Sequence, residues 1–174
     1  MDILKSPDQP FLNIRQATER DAESVVDLYN WYLVNTVVTF ETVAVSADQM
    51  RQRIQENLER YDWLVGEHDG RVVGYAYYGS FRTRAAYDHT VETTIYLAPD
   101  AAGKGFGRKL YTALLESAVR KGFREAIGVI ALPNPASLAL HALLGFHEVG
   151  VMPGVGYKFG EYVDVGFWQR SLVP

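Results

Sequence analysis

Apolar and polar positions follow two rhythms along this chain, and the switches between them mark its elements. Phe11-Leu12-Asn13-Ile14-Arg15 alternates with a period of two and predicts a first strand. From Thr18 the spacing widens. Val25, Val26, Leu28, Tyr29 and Tyr32 share one helical face, and Thr18 with Asp21 makes a capping-box-like start. Val37 to Phe40 reads as extended, and Ser46 with Gln49 opens a polar helix that runs to about Arg60. Trp63 to Glu67 and the Val- and Tyr-rich Val72 to Phe81 predict two strands, joined through the Asp69-Gly70 hairpin signal. After the polar loop Arg82 to Asp88, His89 to Leu97 predicts another strand.

A turn from Ala98 to Gly107 follows, with a glycine at every second position from Gly103. Leu110, Leu114 and Ala118 then stand in i, i+4 register on a helix that Gly122 stops. Ala126 to Leu132 is an apolar strand. Asn134-Pro135 places a capping side chain before a proline at the first helical position, and Gly145 ends that helix. Phe146 to Met152 and Tyr162 to Trp168 complete the chain as strands. This order predicts one mixed α/β domain over residues 11–174, several of its strands antiparallel because of the hairpin, with residues 1–10 as a flexible arm.

Composition changes the picture in three places. The chain has 174 residues, and a domain of that size buries roughly 70% of its unfolded surface, so it needs no metal or disulfide to fold. Net charge is −4 with no basic run, which argues against nucleic acid or an anionic membrane as the partner. Cysteine is absent, which removes thiol nucleophiles and zinc–thiolate sites together, and His68, His89 and His147 have no ligand spacing, so no metal is expected. The first ten residues do not read as a signal peptide, and no apolar run approaches the roughly 20 residues of a membrane span, so a cytoplasmic setting is the default expectation.

Two features carry candidate chemistry. In Gly103-Lys104-Gly105-Phe106-Gly107-Arg108, glycines open a helix directly after a strand. They allow close backbone approach, and the helix start offers free N–H groups and a partial positive charge, a site for a pyrophosphate. The segment fits neither a dinucleotide fingerprint nor a P-loop, and a plain glycine-rich turn has the same composition. In the preceding strand, alternation puts Val91, Thr93, Ile95 and Leu97 on one face and Glu92, Thr94 and Tyr96 on the other. Partial burial of Glu92 would raise its pKa and suit a general base; a solvated sheet face would accommodate it equally.

These residues lead to a family. The glycine turn, the Asn134-Pro135 start and Gly145-Phe146 resemble the GNAT superfamily of N-acetyltransferases. Arg82 to Tyr87, Val91 to Tyr96, Leu132-Pro133-Asn134, Leu140 to Phe146, Gly156-Tyr157-Lys158 and Asp164 to Gln169 are similar to segments of its phosphinothricin N-acetyltransferase subfamily, over about residues 12 to 172.

The resemblance implies a mostly antiparallel sheet with one splayed strand. It also implies direct acetyl transfer from acetyl-CoA to the α-amino group of a small amino-acid-like molecule such as phosphinothricin or methionine sulfoximine. The backbone of Ile95, Tyr96 and Leu97 would pair with the pantetheine arm. The segment Gly103, Lys104, Gly105, Phe106, Gly107, Arg108 would hold the pyrophosphate, and Asn134 would contact the cofactor again. Glu92 matches the general base. His141 stands where many members carry a tyrosine as general acid, and an imidazole there serves either proton transfer or packing. Phe40, Tyr87 and Thr94 match the substrate pocket, and Arg82 and Arg84 would grip an acid group in a two-pronged way. One departure is Ala102, where the superfamily usually has Gln or Arg; a side-chain contact is lost while the backbone amides remain. Another acceptor amine, or a module that binds acetyl-CoA without catalysis, are the alternative readings. The resemblance also implies a homodimer, for which the aromatic-rich Tyr157 to Trp168 would serve as the contact.

Overall fold

The computed structural model describes residues 10–173, so positions 1–9 of the expected arm lie outside the described residues. The order is β1 (Asn13–Gln16), α1 (Ala22–Asn35), α2 (Ala47–Leu58), β2 (Trp63–His68), β3 (Arg71–Ser80), β4 (Thr90–Leu97), α3 (Phe106–Arg120), β5 (Glu125–Leu132), α4 (Pro135–Leu143), β6 (His147–Lys158) and β7 (Glu161–Ser171). The strands form one sheet in the order β1-β2-β3-β4-β5-β7-β6. Every neighbouring pair is antiparallel except β4 and β5, as expected of a mixed, mostly antiparallel sheet.

The exception shapes the molecule. The parallel ladder runs only from Thr90↔Glu125 to Thr93↔Gly128, although β4 continues to Leu97 and β5 to Leu132. Beyond that vertex each strand stays with its outer neighbour: β4 with β3 as far as Leu97↔Gly74, β5 with β7 as far as Leu132↔Asp164. The two halves of the sheet part, and the expected splayed strand is β4.

Helices cover both faces. Tyr29 and Tyr32 of α1 pack on Tyr96 of β4, at ring separations of 5.7 and 5.1 Å. On the opposite face α3 lies against β3: Tyr78 shares a hydrogen bond of 3.0 Å with Ser117, and Leu110 and Leu114 are fully buried. Truncating such a leucine to alanine typically costs about 2–5 kcal/mol. The local signals work as read. Asp69 and Gly70 both adopt positive φ in a tight hairpin, and Phe123 N–H closes the end of α3 on the Ala118 carbonyl at 3.1 Å, with Gly122 at φ +85°.

Four segments differ from expectation. The first strand begins at Asn13, leaving Phe11 exposed. Gly107 lies inside α3 rather than in the turn before it. Residues 37–39 form bends rather than an extended strand, and the Lys158 side chain of β6 grips the carbonyls of Thr36 and Thr39 at its two ends. β6 and β7 are longer than predicted. β6 runs on through Pro153, Gly154 and Gly156, where a register shift between Met152 and Gly156 absorbs them, and the reversal falls at Phe159 and Gly160.

Candidate active site

Divergence of β4 from β5 leaves a passage through the sheet. A cavity of about 400 Å³ occupies it, lined from one face by Tyr32, Val38, Thr39 and Phe40 and from the other by Ser137, Leu140 and His141. The fork supplies Glu92 to Leu97 from β4 and Val129 to Ala131 from β5. Because successive strand residues point to opposite faces, Glu92, Thr94 and Tyr96 look toward α1 and α2, whereas Thr93 looks toward α3 and α4.

Glu92 sits opposite Gly79 in the β3–β4 ladder, and this neighbour has no side chain to cover it. Its carboxyl is half-buried. Burial pushes its pKa above the ordinary carboxylate value, and the positive charge of Arg82 pulls the other way. A carboxylate held in this manner binds a proton more readily than a free one, as a general base requires.

On the other face His141 is buried, with both ring nitrogens engaged. Nδ1 donates to the Ser137 carbonyl at 2.8 Å, and Nε2 lies 3.1 Å from the Tyr111 hydroxyl. Tyr111 Oη is 2.6 Å from Thr93 Oγ1, which donates to the Ile127 carbonyl at 3.1 Å. With a neutral imidazole these four contacts share three protons. An imidazolium supplies the fourth, and only hydroxyl rotation is then needed to fill them all. Burial nevertheless depresses the His141 pKa, which favours the neutral ring. Tyr111 and Thr93 were not among the residues the sequence pointed to. Tyr111 sits on a helix face beside Leu110 and Leu114 and reads as core.

The glycine segment divides by role. Gly103 and Gly105 both adopt φ +77°, and a Cβ at either would meet nothing within 4 Å, so their backbone faces open space. Gly107 is different: a Cβ there would come 2.9 Å from Leu97 Cδ1, so this glycine lets α3 approach β4. No side chain caps the start of α3 and its first turn has no acidic residue, which leaves its N–H groups for an anion. Lys104 and Arg108 are exposed beside it, whereas the Phe106 side chain is in the core. Asn134 lines the cavity but uses Oδ1 to accept from the Ser137 N–H at 3.2 Å, which caps α4. The β4 edge left unpaired by β5, beside an uncapped helix start, suits a ligand with an amide-bearing arm and a pyrophosphate.

Phe40, Thr94, Ile95, Tyr96 and Leu97 line the cavity, as does Glu92. Arg82, Arg84 and Tyr87 do not. They stand on the exposed loop that joins β3 to β4 at the Glu92 end. Arg82 stacks on Phe81 at 4.3 Å, and Tyr87 packs edge-on against the same ring at 5.9 Å. They form a rim there rather than a wall.

Comparison with known proteins accords with this geometry. The family model for the GNAT acetyltransferase domain matches residues 14–166. The chain is 41% identical over 167 residues to a phosphinothricin N-acetyltransferase of Streptomyces viridochromogenes, covering 96% of this chain and 91% of that protein. It is 35% identical over 162 residues to an L-methionine sulfoximine/L-methionine sulfone acetyltransferase of Salmonella typhimurium, covering 92% and 95%. Its structure matches that of a GNAT superfamily phosphinothricin acetyltransferase from Sinorhizobium meliloti in complex with acetyl-CoA, with a TM-score of 0.89, 38% identity, and 92% and 88% of the two chains covered. The glycine-opened helix, the forked sheet and the half-buried Glu92 thus belong to an N-acetyltransferase, and the chain is a member of the GNAT acetyltransferase family.

Proposed function

We propose that this protein transfers acetyl from acetyl-CoA directly to the α-amino group of a small amino-acid-like acceptor such as phosphinothricin or methionine sulfoximine. The observation that carries this reading is the cavity at the β4–β5 fork, which is lined from both faces of the sheet and has a half-buried carboxylate beside it. When bound, acetyl-CoA supplies the thioester from which the acetyl group passes. The backbone of Ile95 to Leu97 holds its amide arm, and the amides of Gly103 to Arg108 hold its pyrophosphate.

Glu92 takes the proton that the acceptor ammonium must lose before its nitrogen can attack. Backbone N–H groups of β4 receive the developing oxyanion. The proton that the nitrogen still sheds as the amide forms passes through Thr93, whose hydroxyl reaches the fork, and Tyr111 to the free Nε2 of neutral His141, and returns by the same hydroxyls to the departing sulfur. Without a cysteine the transfer runs in a ternary complex rather than through an acyl-enzyme. Arg82 and Arg84, at the rim beside Glu92, draw the acceptor's acid group; Phe40, Thr94 and Tyr87 shape the space around it. No metal takes part.

No helix of the described residues is long and apolar enough to cross a membrane, and a cytoplasmic setting goes with this reading. A homodimer through β6 and β7 completes it: β6 is an edge strand, and Val155, Tyr157 and Tyr162 are exposed on this hairpin. Light scattering that returns a monomer at working concentration would remove the dimer.

The test is release of free thiol from acetyl-CoA, with phosphinothricin, methionine sulfoximine, glutamate, a polyamine and an N-terminal peptide as acceptors. Release with the first two supports the proposal. Release only with the polyamine or the peptide replaces the acceptor class, and no release with any amine leaves a binding module.

A further inference from the structure

We infer that Lys158 is a positioning residue for the acceptor side of the cavity. It clasps the segment 36–40, whose Val38, Thr39 and Phe40 form the wall on the α1 face. The inference rests on the acetyltransferase reading for its functional half and on the contacts of β6 for its structural half.

Lys158 is 3% exposed, unusual for a lysine. Its ammonium donates to the Thr36 carbonyl at 2.9 Å and to the Thr39 carbonyl at 2.7 Å, and it stands 4.9 Å from the centre of the Phe159 ring. Among the described residues no carboxylate forms an ion pair with it, and loss of water lowers its pKa. An unpaired ammonium is costly to bury. Here it is held by two carbonyls that segment 36–40 turns inward, and the bends at 37–39 fall within that grip.

A second contact on the same strand face has the same target. Gly156 lies two residues before Lys158, so both point to one side of β6, while Val155 and Tyr157 point outward and are exposed. A Cβ on Gly156 would overlap the ring of Phe40. Gly156 therefore seats the Phe40 ring and Lys158 holds the backbone just before it. From within the wall, Thr39 Oγ1 is 2.7 Å from the Tyr29 hydroxyl, which also donates to Glu41 at 2.6 Å. The wall is thus fixed from β6 at one side and from α1 at the other. Removing the β6 grip frees the Thr39–Phe40 edge of the cavity and leaves the fork and the glycine-opened helix untouched.

The experiment compares the full chain with Lys158→Met, which keeps length and loses the donors, and with Lys158→Arg, which keeps charge and donors. Two readouts are taken. Hydrogen exchange of the Val38 amide, which donates to Thr36 Oγ1 at 3.3 Å inside the clasped segment, reports the clasp whether or not any amine is acetylated. Steady-state kinetics report its use. Lys158→Met should speed exchange at that amide by at least tenfold, which corresponds to about 1.4 kcal/mol of lost local stability. It should raise the acceptor KM by about tenfold while the acetyl-CoA KM moves less than about twofold, and Lys158→Arg should recover part of both effects. Unchanged exchange overturns the clasp. Faster exchange with both KM values raised equally, or with neither changed, overturns the positioning role, since a merely structural lysine would show no acceptor-selective effect. If the wild type acetylates no amine, the acetyltransferase reading fails by itself, and the exchange result still decides the clasp.

Discussion

His141 rests its imidazole on the bare Cα of Gly128: a Cβ added there would lie 2.6 Å from Nε2 and 2.7 Å from Cδ2. Gly128 is also the last β5 residue paired with β4, opposite Thr93, so the ring sits at the vertex of the fork. Gly128→Ala should push the imidazole away from Tyr111. Overpacking of this kind costs about 1–3 kcal/mol, readable by urea unfolding. Turnover should fall more than the loss of folded protein explains, whereas unchanged kcat would show that the ring position is immaterial.

Glu92→Gln should lower kcat by about 10²- to 10⁴-fold, the range of a general base, with acetyl-CoA binding by calorimetry unaltered. Stability has a definite sign. The folded pKa of Glu92 is raised, so the native state binds more protons than the unfolded chain between the two pKa values, and stability falls as pH rises through that window. At neutral pH the carboxylate is therefore a burden, and the glutamine variant should melt no lower than the wild type. A clearly lower melting temperature would mean that Glu92 is structural.

Arg82 favours the ionised form of Glu92. Arg82→Gln should raise the Glu92 pKa further and move the acid limb of the kcat/KM profile to higher pH. A limb that stays in place would separate Arg82 from the base, leaving it only the acceptor's acid group.

Tyr111→Phe removes the hydroxyl between His141 and Thr93 and leaves the buried Nε2 without its partner. Loss of a buried hydrogen-bonding group costs about 1–3 kcal/mol, which denaturant unfolding would show. If the hydroxyls carry a proton, kcat should drop with the acetyl-CoA KM unchanged. A stability loss without a kcat effect would confine the network to packing.

Gly105→Ala separates backbone conformation from space. The added methyl meets nothing, but φ +77° disfavours alanine by about 1–2 kcal/mol. The loop should relax away from this conformation and the acetyl-CoA KM should rise severalfold, with the acceptor KM unchanged. An unaltered acetyl-CoA KM would argue against a pyrophosphate on this loop.

The helices, hairpin and caps were legible because each depends on neighbours within a few residues. Ser46 and Gln49 cap α2, Asn134 caps α4, and Asp69-Gly70 turns β2 into β3, each through local hydrogen bonds or backbone preference. Thr18 and Asp21 also cap as read, although Asp21 is shared with Arg15 at 2.7 Å and a short 3-10 turn precedes α1. Glu92 stood out because a carboxylate in a strand is rare.

Pairing over distance was not legible. Period-two alternation predicted which face of β4 each residue takes, but nothing in Thr93 or Gly128 announces that the ladder ends between them. Gly156 and Lys158 stood out only as part of a segment similar to the subfamily, and contact with Phe40, Thr36 and Thr39, more than a hundred residues earlier, gives them their place. The sequence by itself determined the local elements, their order and the chemistry available on them, since these follow from short-range propensity and side-chain type. The tertiary structure decided the passage through the sheet, the burial that shifts Glu92 and His141, and the grip of β6 on segment 36–40, because each arises where distant segments exclude water from a shared space.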